Sequence, residues 1–140
     1  MKRLTPLILG VILAAVLAAG ALGSASAPRA VKITIRHQVS HCHAWSAGGA
    51  YKASLSVKLA RGGSIRFINN DVMPHKLVKL SGPAAKFVGK PNMRHMSATV
   101  RVTFPKAGVY TFTTKVGEDY MSGVKTIGED NVLRLKVRVS

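Results

Sequence analysis

The residues of this chain that could carry out chemistry are histidines, methionines and one cysteine, and apart from the initiator Met1 they are confined to a few short stretches. His37, His41, Cys42 and His43 lie in the first stretch, and the others are Met73-Pro74-His75, Met93-Arg94-His95-Met96 and the single Met121. Imidazole, thiolate and thioether groups bind soft and borderline transition metals, and this mixture favours copper, above all Cu(I). The residue types therefore predict a copper site if the fold brings the stretches together.

The segments between these stretches have the pattern of β-strands. Apolar and polar residues alternate with period two in 31–36, 54–59 and 97–104, and most clearly in 132–139. Three further strands are predicted at 64–69, 75–80 and 109–114, and turn residues such as Asn69-Asn70-Asp71 separate the strands. A series of strands without a helical period predicts an all-β protein, an antiparallel β-sandwich.

The first residues have the composition of a secretory signal peptide. A basic start, Met1-Lys2-Arg3, precedes an apolar run over 7–22 and small residues that end in Ala25-Ser26-Ala27. The apolar run is shorter than the roughly 20 residues of a membrane span, and an uncleaved anchor is the alternative. Residues 1–27 are therefore predicted to be a signal peptide, cut between 23 and 27. Residues 28–140 are predicted to form one domain outside the cytoplasm, in the periplasm, at the cell envelope or secreted.

The chain is strongly basic, with 21 lysines and arginines against 5 acidic residues. Loss of Lys2 and Arg3 with the leader would lower its formal net charge from +16 to about +14. Such a charge favours anionic partners, such as cell-envelope polymers or an acidic protein, although it also serves solubility. Nucleic acid is not expected as a partner, because no aromatic residues alternate with the basic ones.

Cys42 is the only cysteine of a chain that is predicted to enter an oxidising compartment. A single cysteine there is explained by an intermolecular disulfide, by burial as an inert thiol or by metal coordination. Coordination would account for Cys42 beside His41 and His43, because a bound metal also protects a thiolate from oxidation.

Two motifs resemble those of the cupredoxins, the plastocyanin-like copper proteins. Phe67-Ile68-Asn69-Asn70-Asp71 followed by Pro74-His75 resembles the first copper-ligand motif of the family, and Gly108-Val109-Tyr110-Thr111-Phe112 resembles its Gly-x-Tyr-x-Phe strand. The resemblance covers most of residues 57–140. It implies a cupredoxin-like Greek-key β-sandwich of about seven to eight strands, with His75 as a copper ligand. Thr114 stands where the family has its cysteine, and no histidine follows, so the standard blue-copper site cannot form.

The family's topology would bring three segments to one end of the sandwich: the loop over 37–45, the turn before His75 and the approach to Ser97. The predicted metal ligands are then His75, Cys42 and His43, with Met96 or His95 as the fourth. Met121 is a weak match to the family's axial methionine. A metal-binding histidine needs a partner for its second nitrogen, and Asp71 is the nearest candidate for His75. His37 is predicted to lie at the rim, and His41 is predicted to point away from the site, because neighbours in an extended segment face opposite sides.

These observations predict a secreted, cupredoxin-like copper-binding protein that acts in electron transfer or copper handling through a non-standard site. Its expected partners are a redox or copper donor or acceptor protein with an acidic surface. The alternative is a metal-free cationic β-sandwich that binds anionic envelope polymers or an acidic protein. An enzyme is not expected, because acidic residues are few and the adjacent Glu118 and Asp119 make a poor acid/base pair.

Overall fold

The structure is a computed structural model that describes residues 26–38, 42–116 and 132–140. These residues form ten β-strands and no helix: β1 Ala30–His37, β2 His43–Ser46, β3 Ser54–Leu59, β4 Ser64–Asn69, β5 His75–Ser81, β6 Lys86–Val88, β7 Asn92–Met93, β8 Thr99–Thr103, β9 Gly108–Val116 and β10 Arg134–Val139. The described residues therefore contain no helix that could cross a membrane. Residues 1–25 of the predicted signal peptide, His41 and Met121 lie outside the described residues, so the predictions for them stay predictions.

The strands form two five-stranded sheets, ordered β2-β1-β4-β8-β6 and β3-β10-β9-β5-β7. The predicted all-β sandwich is confirmed, and all seven predicted strands are present. The three additional strands, β2, β6 and β7, are two to four residues long. Each sheet also contains one parallel pair within the described ranges, β1 with β4 and β3 with β10, where an antiparallel sandwich was expected. A period-two pattern shows which face of a strand is buried, but not which strand lies beside it.

The core lies between the two sheets and is built from the alternate residues of each strand. In β10, Leu135 and Val137 are buried while Arg134, Lys136 and Arg138 are exposed, as the alternation predicts. The aromatic rings of Phe104 and Tyr110 meet edge to face, with centroids 4.9 Å apart. Aromatic pairs of this kind add stability beyond the area that they bury. Packing between the two inner faces therefore stabilises the sandwich, and the turns that connect the strands form its two ends.

One end of the sandwich collects the predicted metal-binding stretches. The backbone N–H of Asn70 donates to the carbonyl of Ile35 at 2.8 Å, which joins the turn after β4 to the end of β1. Within the second sheet, His75 pairs with Met93 of β7 and with Val116 of β9. The predicted convergence of the first loop, the turn before His75 and the segment before Ser97 is thus present in the described part of the chain.

Candidate metal centre

The turn between β4 and β5 is held rigid by its own side chains. The side-chain amide of Asn69 donates to the carbonyls of Met73 at 2.9 Å and Met93 at 3.0 Å. Its Oδ1 accepts from the backbone N–H of Asp71 at 3.0 Å. Oδ1 of Asp71 in turn accepts from the N–H of Met73 at 3.0 Å. These local bonds are typical of Asn and Asp in turns. They leave the second carboxylate oxygen of Asp71 for the histidines.

Asp71 connects two buried histidines. Its Oδ2 lies 2.8 Å from Nδ1 of His43 and 3.2 Å from Nε2 of His75. The two imidazole rings meet edge to face with centroids 4.9 Å apart. All three side chains are almost fully buried. Because an ionised carboxylate can only accept hydrogen bonds, we assign a proton to Nδ1 of His43 and to Nε2 of His75. That assignment leaves Nε2 of His43 and Nδ1 of His75 as the nitrogens with metal-binding lone pairs in the neutral rings.

The surroundings of Asp71 favour its ionised form. Burial raises the pKa of this carboxyl, but the hydrogen bonds from His43 and His75, the backbone N–H of Met73 and the charge of His75 outweigh burial. Its pKa therefore lies well below the usual range for aspartate. A buried carboxylate that is ionised at neutral pH is an acceptor that orients both imidazoles.

Thr114 occupies the position beside His75 that the cupredoxin resemblance assigns to a cysteine. The β5–β9 register places Thr114 opposite Leu77, two residues from His75, and its Oγ1 lies 3.4 Å from Nδ1 of His75. A threonine hydroxyl is not ionised at neutral pH and is a poor ligand for copper compared with a thiolate. The expectation that no standard blue-copper site forms stays a prediction, and Thr114 is the residue that a substitution would have to change to test it.

His37 lies at the solvent-facing rim of the cluster. It pairs with His43 across the β1–β2 hairpin, and the two rings are 5.8 Å apart. One potential ligand atom each from His37, His43 and Asp71 lies within 4.8 Å of the others. His37 is exposed at the rim, as predicted, but its proximity to His43 and Asp71 was not predicted from the sequence. A predicted hairpin between β1 and β2 would have indicated that His37 and His43 are close, because side chains at directly opposite positions of paired strands lie about 5 Å apart.

Cys42 stands at the entrance to β2, directly before His43. It is half-buried, its backbone has a positive φ of 43°, and its carbonyl accepts from the N–H of Gln38 at 2.8 Å. A non-glycine residue in the left-handed region is strained, and such strain often occurs at functional sites. Its role as a ligand stays a prediction.

His95 and Met96 lie at the same end of the sandwich but on its outer surface. Both are exposed, Met96 to 50%, and Nδ1 of His95 donates to the carbonyl of Met96 at 2.9 Å. Met93, by contrast, is fully buried and packs in the core. The fourth ligand that was predicted from His95 or Met96 therefore stays a prediction, with both candidates open to solvent.

The predicted contact of Asp71 with His75 is confirmed, and the same carboxylate oxygen also contacts His43, which the sequence did not predict. Imidazole and carboxylate donors suit borderline ions such as Cu(II) and Zn(II), and the Cys42 thiol would add a soft donor that suits Cu(I). The residues present therefore fit a copper ion.

Comparisons with known proteins identify a similarity of fold. No family model and no curated protein matches the chain. A reduced Cu(I) form of a mutant amicyanin is 22% identical, with a TM-score of 0.43 over 83% of this chain and 87% of that one. Amicyanin from Paracoccus versutus is 18% identical, with a TM-score of 0.43 over 79% and 81% of the two chains. Amicyanin is a cupredoxin, the family whose motifs the sequence resembles. Membership of that family stays an expectation for this chain.

Proposed function

We propose that the chain binds one copper ion outside the cytoplasm, at the end of the sandwich where Asp71 joins His43 and His75. The observation that supports this proposal is the shared carboxylate. Metal-binding histidines usually donate their second N–H to a carboxylate or carbonyl, which fixes the ring orientation. Here one buried oxygen accepts from both rings. Burying such a polar group is unfavourable in free energy compared with packing apolar side chains, so a purely structural role would make the folded protein less stable than an apolar core would.

His43 and His75 would be the central ligands, and Asp71 would orient them. Cys42 and His37 are next to this pair, and Met96 or His95 would complete the set from the outer surface. Copper at this position would exchange one electron between Cu(I) and Cu(II). Histidine and carboxylate groups favour the oxidised ion, whereas Cys42 and Met96 favour the reduced one.

Copper handling accounts for the geometry better than electron transfer. His37 and the 95–96 segment are exposed, so a copper ion could pass to another protein through the rim. Thr114, rather than a thiolate, stands beside His75. Electron transfer through Cys42 is the alternative. In either role the partner would be a copper or electron donor or acceptor with an acidic surface, outside the cytoplasm, because residues 1–27 have the pattern of a signal peptide.

The test is a competition titration of purified protein with Cu(I), Cu(II) and Zn(II) against chromophoric chelators. We expect one copper per chain, with nitrogen coordination of Cu(II) visible by electron paramagnetic resonance. His43→Gln and His75→Gln should each weaken binding, and folding of the variants is checked by circular dichroism. Failure of either copper ion to bind the folded wild-type protein would contradict the proposal.

A specific observation also favours the alternative of a cationic module that binds anionic envelope polymers. Lys32, Arg66 and Arg101 lie opposite one another on β1, β4 and β8. Like charges in directly opposed positions are destabilising, and an anionic polymer on the outer face of the first sheet would neutralise them. This function predicts polymer binding that weakens steeply with salt and is lost in Arg66→Glu.

A further inference from the structure

A groove of about 830 Å³ runs over the outer face of the second sheet, on a different surface from the histidine cluster. Its centre is β10, which presents Arg134, Lys136 and Arg138 to solvent at alternate positions. Alternate residues of a strand lie roughly 7 Å apart on the same face. The groove therefore contains a straight row of three cations with regular spacing.

No carboxylate in the described residues neutralises this row. Asp71 is the only acidic residue within 26–38, 42–116 and 132–140, and it is buried at the histidine cluster. Lys58 lies directly opposite Arg138 in the β3–β10 register, which adds a further like charge. Opposed like charges cost stability in a sheet, and a bound anion would remove that cost.

The groove is also lined by uncharged polar and apolar residues. Ser54 and Ser56 line one side of the cation row and Thr111 lines the other. Hydroxyl groups can both donate and accept hydrogen bonds, so they suit peptide groups as well as acids. Two apolar side chains at the groove, Leu80 and Val132, are 60% and 61% exposed. A bare polyanion such as polyphosphate has nothing to place against them.

We infer that this groove binds an extended acidic segment of a partner protein. In an extended segment, acidic residues at alternate positions present carboxylates on one face about 7 Å apart, which matches the spacing of Arg134, Lys136 and Arg138. An apolar residue at one end of the segment would cover Val132, which precedes Arg134, whereas Leu80 on β5 would flank the middle of the segment, level with Thr111 and Lys136. Arginine binds carboxylates through two parallel hydrogen bonds, which adds orientation to the attraction. The interaction involves no metal ligand and holds whether or not copper binds.

The inference is tested by fluorescence anisotropy with two labelled peptides of the same composition, at about 0.15 M salt. In one peptide three glutamates alternate with serines between terminal leucines, and in the other the three glutamates are adjacent. The alternating peptide should bind about tenfold more tightly than the clustered one. Lys136→Glu should weaken binding of the alternating peptide about tenfold relative to the wild-type protein, because a negative charge then faces the acidic ligand.

Lys86→Glu is the matched control, since it makes the same substitution on β6, an exposed strand of the other sheet, and it should leave the affinity within about twofold. Lys136 and Lys86 are both exposed, so circular dichroism and unfolding curves should be unchanged. Equal affinity for the two peptides, or an equal loss in the two variants, would overturn the inference in favour of general charge attraction. Polyphosphate binding that depends on Lys136, without peptide binding, would also overturn it.

Discussion

Nδ1 of His43 donates to Oδ2 of Asp71 at 2.8 Å, across 28 residues of sequence and with both side chains buried. This bond joins the first sheet's β2 to the turn that precedes β5 of the second sheet. The same oxygen accepts from His75. The carboxylate therefore determines the orientation of one histidine from each sheet, and removal of its charge should disturb stability and metal binding together.

Asp71→Asn should lower the free energy of unfolding by about 2–4 kcal/mol, because two buried imidazoles lose a charged acceptor. Copper affinity should fall by about 10- to 100-fold, the usual effect when a partner that orients a metal-binding histidine is lost. Urea unfolding and chelator competition measure the two effects. Asn70→Ala, an exposed neighbour in the same turn, should change neither. An Asp71→Asn variant with wild-type affinity for copper would mean that the carboxylate does not orient the ligands.

Stability should decrease in acid through Asp71. Its pKa is lowered in the folded protein, so at pH values above the unfolded-state pKa of about 3.9 the ionised carboxylate contributes its full stabilisation. As the pH falls below that value the unfolded chain takes up the proton first, and the stabilisation decreases. Urea midpoints between about pH 5 and pH 2 should therefore fall more steeply for the wild-type protein than for Asp71→Asn. Parallel curves for the two proteins would contradict the prediction.

Thr114→Cys should create a thiolate ligand beside His75, because Oγ1 of Thr114 already lies 3.4 Å from Nδ1 of the ring. In a Cys42→Ser background, Cu(II) should then give an intense visible band from thiolate-to-copper charge transfer, and Cu(I) affinity should rise about tenfold or more. Thr113→Cys in the same background is the control, since its side chain faces away and donates to the carbonyl of Leu133. A band of equal intensity in the control would contradict the prediction.

Cys42 and His37 should make separable contributions to metal binding. Cys42→Ser removes the soft donor, so Cu(I) affinity should fall by more than about a hundredfold while Cu(II) affinity changes less. His37→Gln removes an exposed imidazole at the rim and should weaken Cu(II) binding by about tenfold. Chelator competition for each oxidation state measures both effects. If Cys42→Ser leaves Cu(I) affinity unchanged, the thiol is not a ligand and the first loop contributes histidines alone.

Asn69→Ala should destabilise the protein by about 2–3 kcal/mol, because the carbonyls of Met73 and Met93 and the N–H of Asp71 would lose their partners in a buried turn. The loss should also weaken copper binding, since the turn holds Asp71 in place. Thermal and urea unfolding measure the stability. Destabilisation equal to that of the exposed Asn70→Ala would show that the amide network does not hold the turn.

The sequence by itself determined that the protein is a β-sandwich and which side of each strand faces the core. The alternation in 132–139 placed Leu135 and Val137 inside, because a strand turns successive side chains to opposite faces whatever its neighbours are. The turn residues at 69–71 and the proline before His75 likewise act through local geometry. The motif resemblance also identified Thr114 as the residue at the family's cysteine position, since both motifs stand in the expected order.

Only the tertiary structure decided which distant residues meet. Three kinds of contact join segments that are far apart in sequence or lie on either side of a loop. They are the parallel pairs β1–β4 and β3–β10, the hydrogen bond between His43 and Asp71, and the proximity of His37 to both of these residues. Such contacts depend on the relative positions of whole strands, which local patterns do not specify. The exposure of Met96 and the position of Lys58 opposite Arg138 follow in the same way. Residue types predicted the available chemistry, and the packing of the two sheets decided which groups can act together.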